Sequence, residues 1–316
     1  MACWAHFSVI DDHTFTKTLF VGEPIPLFIF ADIGRFFPLD GQEWNILSAI
    51  FTPEASVFYA FNAICLIVVM WCLRYVLFRF TAHHTQSCNT PYLVYGALLL
   101  CLFSPAFITA WLRLFVPERM EFVFCSLFLA SYMYVVYARM SARAWVFLVL
   151  GVVCANLALY YKETAFAMLG VFGFVHFVLD YKNSSKITKT FDVALVLSSA
   201  VWLLVYAVVV LAQKQGSGSY GDTPYNQLIV MTKVVFNYIL QEPFLFVAIP
   251  CFVLYRIYQV FVKKSPFLPL LDSALIAALV LCAEYIALKI GDIHYPLPAY
   301  VFGLIGLVGI GMYYWR

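Results

Sequence analysis

Nine stretches of mostly apolar residues recur along the chain, at 55–78, 92–111, 122–137, 144–161, 164–179, 193–212, 243–262, 269–288 and 297–314, with short polar breaks between them. A helix needs roughly 20 apolar residues to cross the hydrocarbon core of a bilayer, so each stretch predicts a transmembrane helix, the third and fifth being short for the task. Two longer segments interrupt the series. Residues 11–53 are punctuated by Gly22, Pro24, Pro26, Gly34, Pro38 and Gly41, which predicts short amphipathic pieces, such as the one from Pro26 to Phe37, lying along the membrane surface. In 213–242, Leu228, Met231, Val235 and Ile239 recur at spacings of three and four, which predicts an interfacial helix. The expected fold is all-α: a single polytopic bundle of about nine spans over residues 1–316, with amphipathic interfacial helices in its two large loops.

Composition agrees with that pattern. Hydrophobic residues make up 64% of the 316 and charged residues only 11%, which excludes an ordinary soluble domain. Alternating the spans collects Arg74, Arg79, Arg139, Arg143, Lys182, Lys186, Lys189, Arg256, Lys263, Lys264 and Arg316 on one side with few carboxylates, which makes that side cytoplasmic and puts 11–53, 213–242 and 289–298 outside. The first ten residues lack the basic start and long apolar core of a cleavable signal, and Met1 to Ile10 reads as the outer end of a helix that begins upstream. The nine cysteines show no CxxC or CxxH spacing, so neither a disulfide framework nor a zinc site is expected. With no GxGxxG, no Walker pattern and only brief cytoplasmic loops, nucleotide-driven chemistry has no place to sit, and the net charge of +2 gives no reason to expect a nucleic-acid partner.

Chemistry is expected at the outer helix ends. Asp11-Asp12 open the first outside segment; adjacent carboxylates repel, which suits one of them to general base work or both to a metal ion, and the alternative is an acidic turn in water. Glu118-Arg119 follow Pro117 at an outside turn, either as a phosphate-binding guanidinium with its orienting carboxylate or as an ion pair capping a hairpin. Lys162-Glu163 stand in a long tract almost free of charge, and charges at such depth face a wet cavity or each other. Lys162 is suited to neutralise a phosphate and Glu163 to bond a sugar hydroxyl. His294-Tyr295, followed by Pro296 and Pro298, form either an aromatic belt turn or a headgroup contact, and Glu284 either pairs with Lys289 or lines the same cavity. His176 and Asn62 read as packed and bonded. A divalent metal is compatible with the paired carboxylates, but nothing in the sequence indicates a cofactor.

Taken together, these motifs resemble the GT-C superfamily of membrane glycosyltransferases, which includes protein mannosyltransferases and bacterial enzymes that modify lipid A. Asp11-Asp12 match its acidic motif in the first outside loop, the run His294 to Pro298 is similar to its late basic-Tyr-Pro turn, and Gly34-Arg35-Phe36-Phe37-Pro38 is similar to a Gly-Arg-Phe stretch of bacterial members. The resemblance implies that Asp11, or else Asp12, is the general base, and that outside cations such as Arg35, Arg119 and Lys162 hold the phosphate of a polyprenyl-phosphate sugar. It implies a glycan, lipid or protein acceptor and a site on the outer face of the cytoplasmic membrane, with inversion at the sugar carbon. Competing classes are a lipid-linked glycan polymerase or ligase, which relies on a large late loop rich in arginine, and a transporter or flippase, which carries its polar residues mid-span and shows a repeat of hydropathy.

Overall fold

The computed structural model describes residues 12–84, 90–137, 142–213 and 226–314. They form a helical membrane bundle, built from α1 (Asp12–Phe20), α2 (Gln42–Ile50), α3 (Ala55–His84), α4 (Thr90–Leu102), α5 (Pro105–Leu112), α6 (Pro117–Tyr137), α7 (Ala142–Tyr161), α8 (Ala165–Asp180), α9 (Lys186–Val209), α10 (Gln227–Gln241), α11 (Ile249–Ile257), α12 (Pro269–Ala287) and α13 (Ala299–Tyr314). Among the described residues six helices are long and apolar enough to cross a bilayer, or seven if α4 and α5, bent by 56° at their junction, count as one. Nine full spans are not found among the described residues. At 16 residues each, α8 and α13 rise about 24 Å, short of the roughly 30 Å hydrocarbon core.

Where a helix sits follows from which of its faces are apolar and how small its residues are. The long helix α3 is apolar all round, so it offers Val69, Leu73 and Val76 to the core and leaves Ile64, Ile67 and Trp71 on the outer surface. Buried along most of its length, α6 is the central helix, and so the charges in its first turns end up inside the protein. Packing in α13 depends on its glycines: a Cβ at Gly306 would lie 2.4 Å from Leu275 Cδ2, so only a bare backbone lets α13 lie this close to α12.

Three expectations change. The piece from Pro26 to Phe37 is not an amphipathic helix but a β-hairpin, with β1 (Phe28–Phe30) pairing antiparallel to β2 (Arg35–Phe37) and Phe28 opposite Phe37. In β1 the aromatic residues Phe28 and Phe30 alternate with a period of two, the turn closes on Gly34 at φ 74°, and Pro26 and Pro38 bracket it. The stretch 92–111 breaks because Pro105 opens α5. Ser104 accepts from the Phe107 N–H at 3.2 Å and Glu242 from the Ala106 N–H at 2.5 Å, which satisfies backbone donors that would otherwise be bare within the bundle. The stretch that begins at 122 in hydropathy begins at Pro117 in structure, so Glu118-Arg119 form the first turn of α6 rather than a loop. The predicted interfacial helix is present as α10, started by Asn226, whose side chain accepts from the Leu228 N–H at 3.0 Å.

One end of the bundle carries the segment before α3, the α7–α8 link and the α12–α13 link. These are stitched together: the Leu39 N–H donates to the Tyr160 carbonyl at 3.1 Å, and the Tyr206 hydroxyl of α9 donates to the Gly34 carbonyl at 2.9 Å. The segment before α3 thereby becomes a lid over the helix ends.

Candidate functional site

Under this lid lies a cluster of charged side chains from five parts of the chain. Lys162, 2% exposed in the α7–α8 link, places its ammonium 2.5 Å from Glu118 Oε1 of α6 and 4.4 Å from the centre of the Tyr295 ring. The other Glu118 oxygen is 3.8 Å from His294 Nε2, and the His294 ring stacks on Tyr295. Arg119 is fully buried. It donates to Glu43 Oε1 and to the Leu114 carbonyl, both at 2.7 Å, and lies over the Trp44 ring, while the Tyr161 hydroxyl donates to Glu43 Oε2 at 3.1 Å. Arg35 of the hairpin pairs with Glu163 and lies over the ring of Phe37. Each of these cations is thus held by a carboxylate, and in two of the three pairs one partner belongs to the lid.

Seven residues singled out in the sequence, Arg35, Glu118, Arg119, Lys162, Glu163, His294 and Tyr295, therefore meet in one place. Asp11 lies outside the described residues; the backbone of Asp12 starts α1, but its side chain is outside them too. Glu284 of α12 lies within electrostatic range of Glu163, and Lys289 instead reaches the side chain of Gln227. His176 and Asn62 are bonded within the bundle, to Asp192 Oδ2 and to the Trp111 carbonyl.

Three carboxylates of the arrangement, and a fourth elsewhere in the bundle, carry no mark in the sequence. Asp40 and Glu43 lie on the lid, three residues apart and just beyond the Gly34–Pro38 stretch. Glu121 is one turn along α6 from Glu118, directly before the apolar run. Glu242 precedes the π-helical turn Phe244–Ala248; besides its bond to Ala106 it accepts from the Tyr300 hydroxyl at 2.6 Å. Glu242 caps a broken helix, whereas the other three face the cluster.

Burial sets the electrostatics of the lid. It pushes the Asp40 carboxyl well above the usual carboxylate range, and the nearby charges of Glu43 and Glu118 push it further, against the pull of Lys162 and Arg119. Burial raises Glu43 as well, opposed by Arg119. Asp40 is thus a carboxyl whose raised pKa makes it a stronger base than an ordinary aspartate, 6% exposed and beside two cations. Among the described residues no group of three or more His, Cys, Asp or Glu is arranged to hold a metal ion.

Burial lowers the pKa of His294 below the ordinary 6.5, against the pull of Glu118. A histidine kept neutral in the fold stabilises it fully above the unfolded value, and below that value the unfolded chain takes up the proton first. The unfolding temperature in detergent should fall as pH drops from 7 to 5, and part of that slope should vanish in His294→Gln. An equal slope in parent and variant would show that His294 is not the titrating group.

Comparison of the chain with known protein families, curated proteins and solved structures finds no match in any of the three.

Proposed function

We propose that this chain is a membrane glycosyltransferase of GT-C type that moves a sugar from a polyprenyl phosphate to an acceptor hydroxyl of a glycan, lipid or protein on the outer face of the cytoplasmic membrane. The observation that carries the reading is the meeting of Arg35, Arg119 and Lys162 with the buried carboxyl of Asp40 beneath one lid, at the end of an apolar bundle. Guanidinium and ammonium groups in a dry site suit a lipid-linked phosphate, which would exchange with the carboxylates that hold them. In the transfer the acceptor oxygen bonds to the anomeric carbon as the bond from that carbon to the phosphate oxygen breaks. The phosphate leaves with the electron pair, stabilised by the cations, and the acceptor proton passes to a carboxylate. One direct displacement inverts the sugar carbon. The family resemblance favours Asp11 or Asp12 for the proton, and the environment of Asp40 favours Asp40.

Binding of polyprenyl-phosphate sugars to the protein in nanodiscs tests the reading. Arg35→Ala removes the cation whose ion pair is the most accessible of the three, with side chains 8% and 14% exposed. It should weaken binding about tenfold or more, as expected for loss of a charge-assisted hydrogen bond, without changing the fold. A parent protein that binds no such lipid but carries a solute across vesicles would make it a transporter.

A further inference from the structure

Glu121 is 0% exposed, and neither of its carboxyl oxygens has a hydrogen-bond partner among the described residues. Glu163 Oε2 and Glu284 Oε2 are likewise buried without a partner. Glu121 lies within electrostatic range of Glu118, Lys162, Glu163 and Glu284, and the cation among these, Lys162, is already engaged by Glu118. A carboxyl kept for packing would be replaced at no loss by an apolar side chain, and one kept for structure would have donors of its own. These acceptors lack donors, so the group that completes them carries several O–H or N–H bonds. A phosphate does not, and no metal-holding set is present among the described residues.

We propose that Glu121, Glu163 and Glu284 form a hydrogen-bond acceptor subsite for the hydroxyl or amino groups of a sugar ring, beside the phosphate-binding cations. The subsite rests on the glycosyltransferase reading. It gives the two halves of the donor separate receptors, with cations for the phosphate and carboxylates for the ring.

Two readouts on the full chain in nanodiscs test it. In thermal unfolding without ligand, Glu121→Gln and Glu121→Leu should unfold at the parent temperature or above, because a binding carboxyl without partners costs the empty protein stability, whereas Glu118→Gln, which strands Lys162, should unfold lower. In native mass spectrometry, the protein is offered a pool of bare polyprenyl phosphate and polyprenyl phosphates bearing glucose, galactose, mannose or an amino sugar. The parent should enrich at least one sugar-bearing lipid over the bare one by about tenfold or more, and which it enriches tells hydroxyl from amino recognition. Glu121→Leu should keep the bare lipid and lose the enrichment. Lower unfolding temperatures for both Glu121 variants, no enrichment by the parent, or enrichment unchanged by Glu121→Leu overturns the subsite while leaving the glycosyltransferase reading in place. A parent that retains no lipid of the pool overturns both.

Discussion

Lys162→Met should be among the most destabilising single substitutions in the chain, at about 3–5 kcal/mol, the range for removing one partner of a buried ion pair. The Glu118 carboxylate is 0% exposed, and the ammonium 2.5 Å away is the permanent cation paired with it among the described residues, while burial lowers the pKa of His294. Methionine preserves the length of the stem but not the ammonium that lies over the rings of Tyr295 and Phe37, so the loss combines the stranded charge with those two ring contacts. Adding Glu118→Gln removes that charge, and the double variant should recover most of the loss. Chemical or thermal unfolding in detergent measures both proteins. Equal stability of Lys162→Met and the double variant would mean that the pair does not hold the bundle together.

Asp40→Asn should leave the fold intact and lower sugar transfer by about a hundredfold or more, the range for losing a general base. Asparagine fits the same space and removes a carboxyl that burial and two neighbouring carboxylates already disfavour, so unfolding at neutral pH should occur at the parent temperature or above. The raised Asp40 pKa sets a sign for pH as well: its contribution is favourable at acid pH and is lost as pH rises from the unfolded value through the raised folded one, and Asp40→Asn should flatten that fall. Initial rates of transfer from a polyprenyl-phosphate sugar, compared with those of Asp11→Asn and Asp12→Asn, identify the base. Undiminished rates in Asp40→Asn beside a collapse in Asp11→Asn would return the role to the position that the family resemblance favours.

The bundle was legible because membrane helices announce themselves by apolar length, which survives without any knowledge of partners. Its departures have local causes. Hydropathy stops counting at Glu118, Arg119 and Glu121, yet the helix starts at Pro117 because Glu43 and the Leu114 carbonyl satisfy Arg119 from within. Ser104-Pro105 is a readable helix start, concealed by apolar residues on both sides. The hairpin was concealed because the Pro and Gly residues that bracket it equally punctuate short amphipathic pieces lying on a membrane surface. At the site, Lys162 and Glu163 stood out because charge in an apolar tract is costly, but their partners did not: Arg119 meets Glu43 across 76 residues of sequence, and only the docking of the lid brings Arg35 to Glu163. Asp40 and Glu121 drew no notice because each lies at the edge of a motif or apolar run, and their surroundings come from packing rather than spacing.

The central claim is that the cluster beneath the lid receives a lipid-linked phosphate. Photo-cross-linking with a polyprenyl phosphate that carries a photoreactive group beside its phosphate, followed by peptide mapping, tests it most directly. The account predicts adducts on the peptides containing Arg35, Arg119 and Lys162, suppressed by excess unlabelled polyprenyl phosphate. Adducts confined to the apolar groove at the opposite end of the bundle, lined by Val175, Leu179, Ile257 and Phe267, would contradict it.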